Sequence, residues 1–428
     1  MRKLVTVLSL ALILCLAMGS VIFAQEKVTL RFSWWGGDSR HRATVKAIER
    51  YMELNPHVTI KAEYAGWDGY HDKLTTQHAA NNAPDISQLS ISSVAEYASR
   101  GLILDVTDMK DTIFADLDES LWDGFRDEQG AFWGIPLGTN CVSYHYNRTM
   151  FSDFGLAEPT PGWTWDDVFS IAQKATRDLD GDGRTDVFGT SSLFVPSTDS
   201  MHVISYQWGG SLYRNNYTEP NIDGGSMETY LNLAKKFQDA GVTPSPEETV
   251  VYTGSQSDFN QGRAAMTAGM LSGIELNQSL MEDEVVNIHW PIAAETGLTG
   301  TFLKPSQAIV INSRTKHRDE VVKFLDWLLT SPEAALITTF ERGVPSSRGQ
   351  RDALIAADIT ELQRNIVRWT NQSADYADST SELTIPGQLE MLTALLETFE
   401  EAQYEVLSIP ATVQKMQRRA AEILKRYK

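Results

Sequence analysis

Ser33-Trp34-Trp35-Gly36-Gly37-Asp38-Ser39-Arg40-His41 opens a segment with helical spacing that runs to Met52. Asn55-Pro56-His57-Val58-Thr59-Ile60-Lys61-Ala62-Glu63-Tyr64 follows, then Gly66-Trp67-Asp68-Gly69-Tyr70 and, further on, Ala83-Pro84-Asp85-Ile86-Ser87-Gln88-Leu89. Val28 to Phe32 just before it alternates apolar and polar residues, as a strand does. Val45, Ile48, Tyr51 and Met52 recur at helical spacing, and Asn55-Pro56 stops that helix because a residue before proline avoids the α region. A second strand begins at Val58, a short helix is expected over His71–Ala80, and a third strand over Asp85–Leu89. A helix over Val94–Ser99 and a strand over Leu102–Val106 repeat the unit. Alternation of this kind builds a mainly parallel α/β sheet. Ligands of open α/β sheets sit at the carboxyl ends of the strands, which places a candidate site at the expected loop Trp34–Arg40.

The rest of the chain continues the same class. Phe132–Leu137 and the following Thr139–Asn147 read as a strand passing from a first lobe into a second. Thr164 precedes Trp165-Asp166-Asp167 as a helix N-cap, with acids in the first turn where the helix dipole favours them. Helices are expected over Met227–Asp239 and Thr253–Ala268, and strands over Val286–Ile292 and Ala308–Ile311. Ser331-Pro332-Glu333 is a helix start with proline at the first helical position. The last 80 or so residues read as helical, with Val413, Met416, Ile423 and Leu424 forming one apolar stripe. No internal repeat or low-complexity linker interrupts the pattern.

A chain of 428 residues exceeds what one compact core organises, so two lobes are expected. Arg2-Lys3, the apolar run Leu4–Met18 and the small Ala24 read as a secretory signal cleaved after residue 24; Cys15 follows Leu14, a poor context for a lipid anchor. Cleavage would remove two basic residues and no acid, making a formal charge of −19 still more negative. That argues against nucleic acid as a partner and against anionic membrane surfaces. No second apolar run reaches spanning length, so the mature chain is expected to carry no membrane span. Only Cys141 follows the signal, so no internal disulfide is expected, and the cysteine reads as a small buried hydrophobe.

Taken together, these motifs resemble the carbohydrate-binding branch (family 1) of the solute-binding proteins of bacterial ABC importers. The carriers are the Trp34/Trp35 segment, Asn55-Pro56, Ala83-Pro84-Asp85-Ile86, Gly101–Asp105, Gly134-Ile135-Pro136, Tyr144–Asn147 and Thr164-Trp165. Phe259 with Gly262 and Ala264-Ala265-Met266, Ile309–Asn312, Ser331-Pro332-Glu333 and Gly343-Val344-Pro345 continue the set in order. The resemblance implies a periplasmic-binding-protein fold of class II type: two α/β lobes, a ligand cleft between them and three crossovers near Gly138–Asn140, Leu303–Ser306 and Pro345–Ser347. The first lobe would comprise residues 25–138 with 305–346, the second 139–304 with 347–428. It further implies a periplasmic, monomeric receptor that takes a carbohydrate and passes it to the transmembrane subunits of an ABC permease, with no catalysis. A secreted lyase or glycosidase is the alternative, since acids are plentiful; but no metal-binding His/Glu motif, Gly-x-Ser-x-Gly elbow or phosphate loop is present.

Sugar sites pair aromatic faces with dense hydrogen-bonding groups. Trp34 and Trp35 point to opposite sides of an extended chain, so one is expected in the core and the other toward ligand. Trp67 and Tyr70 are expected near the cleft. Asp38, Arg40, Ser90 and Asn140 are candidates from the family's loop positions, each also compatible with a surface polar or turn-stabilising role. Trp208 stands where the family places an aromatic, or else is a core residue before a turn; Leu271 replaces a stacking tryptophan of some relatives, and Trp290 reads as core. Leu303-Lys304-Pro305-Ser306 and Glu341–Pro345, with the Trp34 and Tyr64–Tyr70 segments, look like binders of pectin-derived oligosaccharides, whose carboxylates Arg40 and Lys304 could meet. Asp178, Asp180, Asp182 and Asp186 stand at positions one, three, five and nine of a calcium-type loop whose twelfth position is Gly189 in place of glutamate. A solvated acidic turn is the preferred reading, structural calcium the alternative, and no other cofactor is implied.

Overall fold

The computed structural model describes residues 26–427 except 128, 195–197, 215–217, 253 and 380–386. The expected signal segment lies outside the described residues. Five strands form the first sheet: β1 (Val28–Trp35), β2 (Val58–Ala65), β3 (Ile86–Leu89), β4 (Ile135–Asn140) and β10 (Lys304–Ile311), in the order β2-β1-β3-β10-β4. β1 pairs in parallel with β2 and β3, whereas β10 runs antiparallel to both β3 and β4. Helices α1 (Asp38–Leu54), α2 (Tyr70–Ala79) and α3 (Ile91–Ser99) connect its first strands. β5 (Val142–Asn147) is the centre of a second sheet, flanked by β8 (Met266–Met270) and β9 (Val285–Ile288), both antiparallel to it. A short ribbon, β6 (Tyr213–Arg214) with β7 (Glu219–Pro220), adds to this half.

Burial along β1 explains its place. Its first half alternates buried and exposed residues, but Phe32 to Trp35 are buried on both faces, as they must be on an interior strand of a sheet covered by helices. Phe32 and Trp34 enter a core with Ile48, Tyr51 and Phe324; Trp35 enters a separate cluster on the opposite face with Tyr70, Leu74 and Leu89. The second half has its own larger core around Tyr144, Trp165, Trp290 and Phe237, and the apolar stripe of the last helix (Ile409–Lys425) packs into it.

Three chain segments run between the halves side by side. β4 passes into β5 at Asn140-Cys141, Lys304 pairs with Asn140 across β10 and β4, and Val344 bridges Thr139. Cys141, Leu303 and Val344, one from each crossing, are buried in a single cluster that also holds Phe259, Leu271 and Val367. Gly138 is required here: its φ is +78°, and a Cβ would stand 2.1 Å from the Arg342 carbonyl oxygen. Ser306 Oγ donates toward the same carbonyl at 2.5 Å, fixing the 341–344 segment over β10.

Several sequence expectations need correction. Leu102–Val106 forms no strand, only an isolated bridge from Ile103 to Asn312, because its pairing is limited to the end of β10, where Leu104 donates to the Ile311 carbonyl and Ser313 to the Leu102 carbonyl. The expected helix over 253–268 is instead a helix at Pro246–Val251, a short 3-10 turn at Gly254–Gln256 and the start of β8; its capping box lies at Ser245–Glu248. Nor does Trp34–Arg40 form a loop. Pairing with β2 continues to Trp35 opposite Ala65 and α1 begins at Asp38, so only Gly36-Gly37 connects them. The N-caps at Thr164 and Ser331 form as expected, Thr164 with a complete capping box.

Candidate functional site

At the carboxyl ends of β1 and β2, buried rings support exposed ones. Trp34 is 0% exposed, packs against Phe32 at 4.9 Å and Tyr64 at 5.2 Å, and its Nε1–H points to His41 Nδ1 at 3.2 Å. Trp35 is 8% exposed and wedged between Tyr70 and Trp67, at 5.3 and 5.1 Å. Neither adjacent indole presents an open face, because β1 is covered on both sides. The open faces at this edge belong to Trp67, 54% exposed and edge-on to Trp35, and to Tyr64, 49% exposed and stacked on His41 at 4.4 Å. Tyr70 is a positioning group: its buried hydroxyl donates within reach of the Ser33 and Gln88 carbonyls, at 3.1 and 3.0 Å, tying β1 to β3. Burial pushes that phenol well above its ordinary range.

Polar candidates are similarly sorted by their partners. Asp38 is exposed in the first turn of α1. Arg40 is half-committed: Nε donates to the Glu341 carbonyl at 2.8 Å and Nη1 to the Trp35 carbonyl at 3.2 Å, so its fork is occupied in pinning β1 to the 341–344 segment. Ser90 stands at the N-cap position of α3 without a side-chain bond to its backbone, its hydroxyl near Ser93 Oγ at 2.7 Å. Asn140 bridges the crossing to the second half, donating from Nδ2 to Ser272 Oγ at 2.7 Å and accepting from the Ser272 and Cys141 amides. Lys304 on the neighbouring strand is paired with Asp199 at 2.5 Å, each side chain 25% exposed. In the second half Trp208 is partly buried, its Nε1–H donating to Glu295 at 3.1 Å, whereas Leu271 and Trp290 are buried in cores.

Arg342 stands out among these groups and was not singled out as a site residue from the sequence. It is 9% exposed; Nε donates to Gln88 Oε1 at 2.9 Å, while its enclosed Nη2 meets no acceptor. Gln88 Nε2 is likewise buried without a partner. Burial, then the like charge of Arg40, lowers the Arg342 guanidinium to about 9. No sequence pattern flags such a residue, since the deficit of partners exists only after strands β3 and β10 meet the 341–344 segment.

Two other constellations have chemical shapes. Ser143 Oγ lies 2.9 Å from His145 Nε2, and Asn277 Nδ2 lies 2.9 Å from His145 Nδ1, the arrangement of a nucleophile, a base and an orienting group. Ser143 is 3% and His145 1% exposed, so substrate has no access, and burial lowers the imidazole to about 4. In the acidic loop, ligand oxygens of Asp178, Asp180 and Asp186 come within 4.8 Å of one another, all exposed. Asp182 does not join them; its carboxylate accepts from the Arg184 amide. Asp178 accepts from the Gly181 and Gly183 amides, which holds its carboxyl below the usual range. Gly189 contributes no ligand and is packed against the Ala172 backbone. This donor set fits a shallow cation site of three carboxylates, short of a full calcium shell.

Residues 37–335, well over half the chain, match the sequence model of the bacterial extracellular solute-binding protein family. The chain belongs to that family. The diacetylchitobiose-binding protein of Streptomyces coelicolor is 24% identical over 324 residues, covering 71% of this chain and 68% of that protein. A family 1 extracellular solute-binding protein from Alicyclobacillus acidocaldarius has a similar structure, with a TM-score of 0.80 at 22% identity over 94% of this chain and 100% of that one. A periplasmic oligogalacturonide-binding protein from Yersinia enterocolitica superposes with a TM-score of 0.75 at 24% identity, again covering 94% and 100%. These solved relatives establish the two-lobe fold of this family member. Among the described residues no helix is long and apolar enough to cross a membrane.

Proposed function

We propose that this solute-binding protein is the extracytoplasmic, periplasmic receptor of an ABC importer, exported by a signal cleaved after Ala24, and that it clamps an oligosaccharide between its lobes. The observation that carries this reading is the bundle of three crossings at Gly138–Cys141, Leu303–Lys304 and Val344–Ser347, with Trp67 and Tyr64 exposed at the end of β2 in the same sheet. Three adjacent segments with few backbone torsions between two separate cores act as a hinge, and a ligand touching both lobes stabilises the closed form. Micromolar affinity corresponds to about 8 kcal/mol at the one-molar standard state, ample to hold a hinge shut. The closed protein then presents both lobes to the permease and acts as a monomer.

The ligand favoured is a uronate-containing, pectin-derived oligosaccharide. The motifs around Trp34, Trp67, Lys304 and Arg342 support it, as does the fold shared with a binder of oligogalacturonides. The receptor needs no cofactor for this role; the Asp178 loop serves as a solvated turn that takes calcium only weakly. The sealed Ser143–His145 pair and the membership among binding proteins argue against a hydrolytic or lyase role.

Melting curves and X-ray scattering of the purified protein, with neutral oligosaccharides, polyols and oligogalacturonides, test this reading. A sugar that raises the melting temperature, reduces the radius of gyration and is recovered at its original length is the expected result. Shortening of the sugar would replace the receptor with an enzyme, and stabilisation without compaction would remove the clamp.

A further inference from the structure

The cations named from the sequence as carboxylate partners are both engaged: Arg40 with two backbone carbonyls, Lys304 with Asp199. Arg342 is the opposite case. It lies at the carboxyl edge of the first sheet, its Nε held by Gln88 of β3, with Arg40, Tyr70 and Glu341 near enough to act on its charge. No carboxylate lies within ion-pair distance of it among the described residues. Glu341, the acid beside it, accepts a hydrogen bond from Ser39 Oγ at 3.1 Å. Two neighbouring guanidinium groups and one carboxylate leave an excess positive charge, and a buried cation without a counter-ion is costly.

A ligand carboxylate would resolve this deficit. It would accept from the idle Arg342 Nη2–H groups of a guanidinium already fixed by Gln88, so little side-chain freedom remains to be lost. The idle Gln88 Nε2–H provides a further donor beside it. Tyr64, half exposed and stacked on His41, a side chain near enough to Arg342 to feel its charge, offers a ring face to the sugar that carries the acid. Resting on the receptor reading above, we propose that Arg342, oriented by Gln88 and bordered by Arg40, is the subsite that receives a uronate carboxylate and selects acidic over neutral sugars.

Calorimetric titration of the wild type, Arg342→Gln and Arg342→Lys with digalacturonate, and with galactobiose of the same linkage as the neutral counterpart, tests the assignment. The wild type is expected to prefer digalacturonate, with a preference that shrinks as salt rises. Arg342→Gln should weaken digalacturonate by about 30-fold or more while leaving galactobiose within about threefold; Arg342→Lys, which keeps the charge and loses the planar fork, should fall between. Unchanged digalacturonate affinity in Arg342→Gln, or equal losses for both sugars, overturns the subsite while leaving the sugar receptor intact. A wild type that binds neutral sugars and ignores digalacturonate does the same, whereas one that binds no sugar overturns both. If Arg342→Gln fails to fold, the Arg342→Lys comparison decides: a fall in the ratio of digalacturonate to galactobiose affinity supports the subsite, and an unchanged ratio overturns it, since a merely structural role moves both affinities together.

Discussion

Arg342 and Arg351 flank the same crossing, Val344–Ser347, Arg351 in the helix Arg348–Ala356 that follows it, and both are buried, yet their surroundings differ completely. Arg351 is 1% exposed, and its guanidinium meets Asp118 through two bonds of 2.7 and 2.8 Å, the Pro345 and Ser346 carbonyls, and Asn371. Arg342 has Gln88 alone. A buried charge whose hydrogen-bonding capacity is filled by the protein holds segments together. One left short of partners is a poor structural element, and its retention makes sense if something from outside completes it.

The largest effect that could break this contrast is on stability. Arg351→Gln should lower the unfolding free energy by about 3 kcal/mol, because it leaves partly buried Asp118 without its cation and the Pro345 and Ser346 carbonyls without their donor. Arg342→Gln should change it by less than about 1 kcal/mol, or raise it, by removing an uncompensated charge. Denaturant curves on both variants check the pair; comparable losses would mean that Arg342 is structural after all.

Next in size is a pH effect that applies the same reasoning to neutral buried groups. His145 has a folded pKa of about 4, depressed by burial below the 6.5 of the free side chain. Its contribution is therefore present above pH 6.5 and is lost as pH falls toward 4, by roughly 3 kcal/mol in all. Asp258, raised by burial to about 6, has the opposite sign: its contribution is present below pH 3.8 and disappears as pH rises through 6. His145→Gln should flatten the acid-side fall of the melting temperature, and Asp258→Asn should steepen it.

A smaller loss, of order 1–3 kcal/mol, is expected for Gly138→Ala, where the left-handed backbone and the Arg342 carbonyl both oppose a Cβ. Because that carbonyl belongs to Arg342, this variant should also weaken acidic-sugar binding, and scattering should report a less compact liganded form. Smallest is calcium. One millimolar calcium acting on a site of millimolar affinity adds about 0.4 kcal/mol, a melting shift near the limit of detection, and Asp178→Asn should remove it.

The α/β class, the two lobes, most strands and helices and the helix starts at Thr164 and Ser331 were legible in the amino-acid order. They depend on local periodicity and on capping chemistry within three or four residues. Trp67 was expected near the cleft from its Gly66–Tyr70 turn, and the structure shows it exposed beyond the end of β2. Trp34 and Trp35 were read correctly as pointing to opposite faces. What the chain order could not convey is that β1 is an interior strand with both faces covered, so that exposure passes to Tyr64 and Trp67. The same limit separates Arg40 and Lys304 from Arg342. All three are basic residues in suggestive motifs, and their roles diverge only when segments hundreds of residues apart supply or withhold partners: Glu341 for Arg40, Asp199 for Lys304, and little but Gln88 for Arg342. Sequence sets which groups can be charged or apolar along each element. Tertiary packing decides which of those charges is already neutralised, because electrostatic and hydrogen-bond demands are met by neighbours in space.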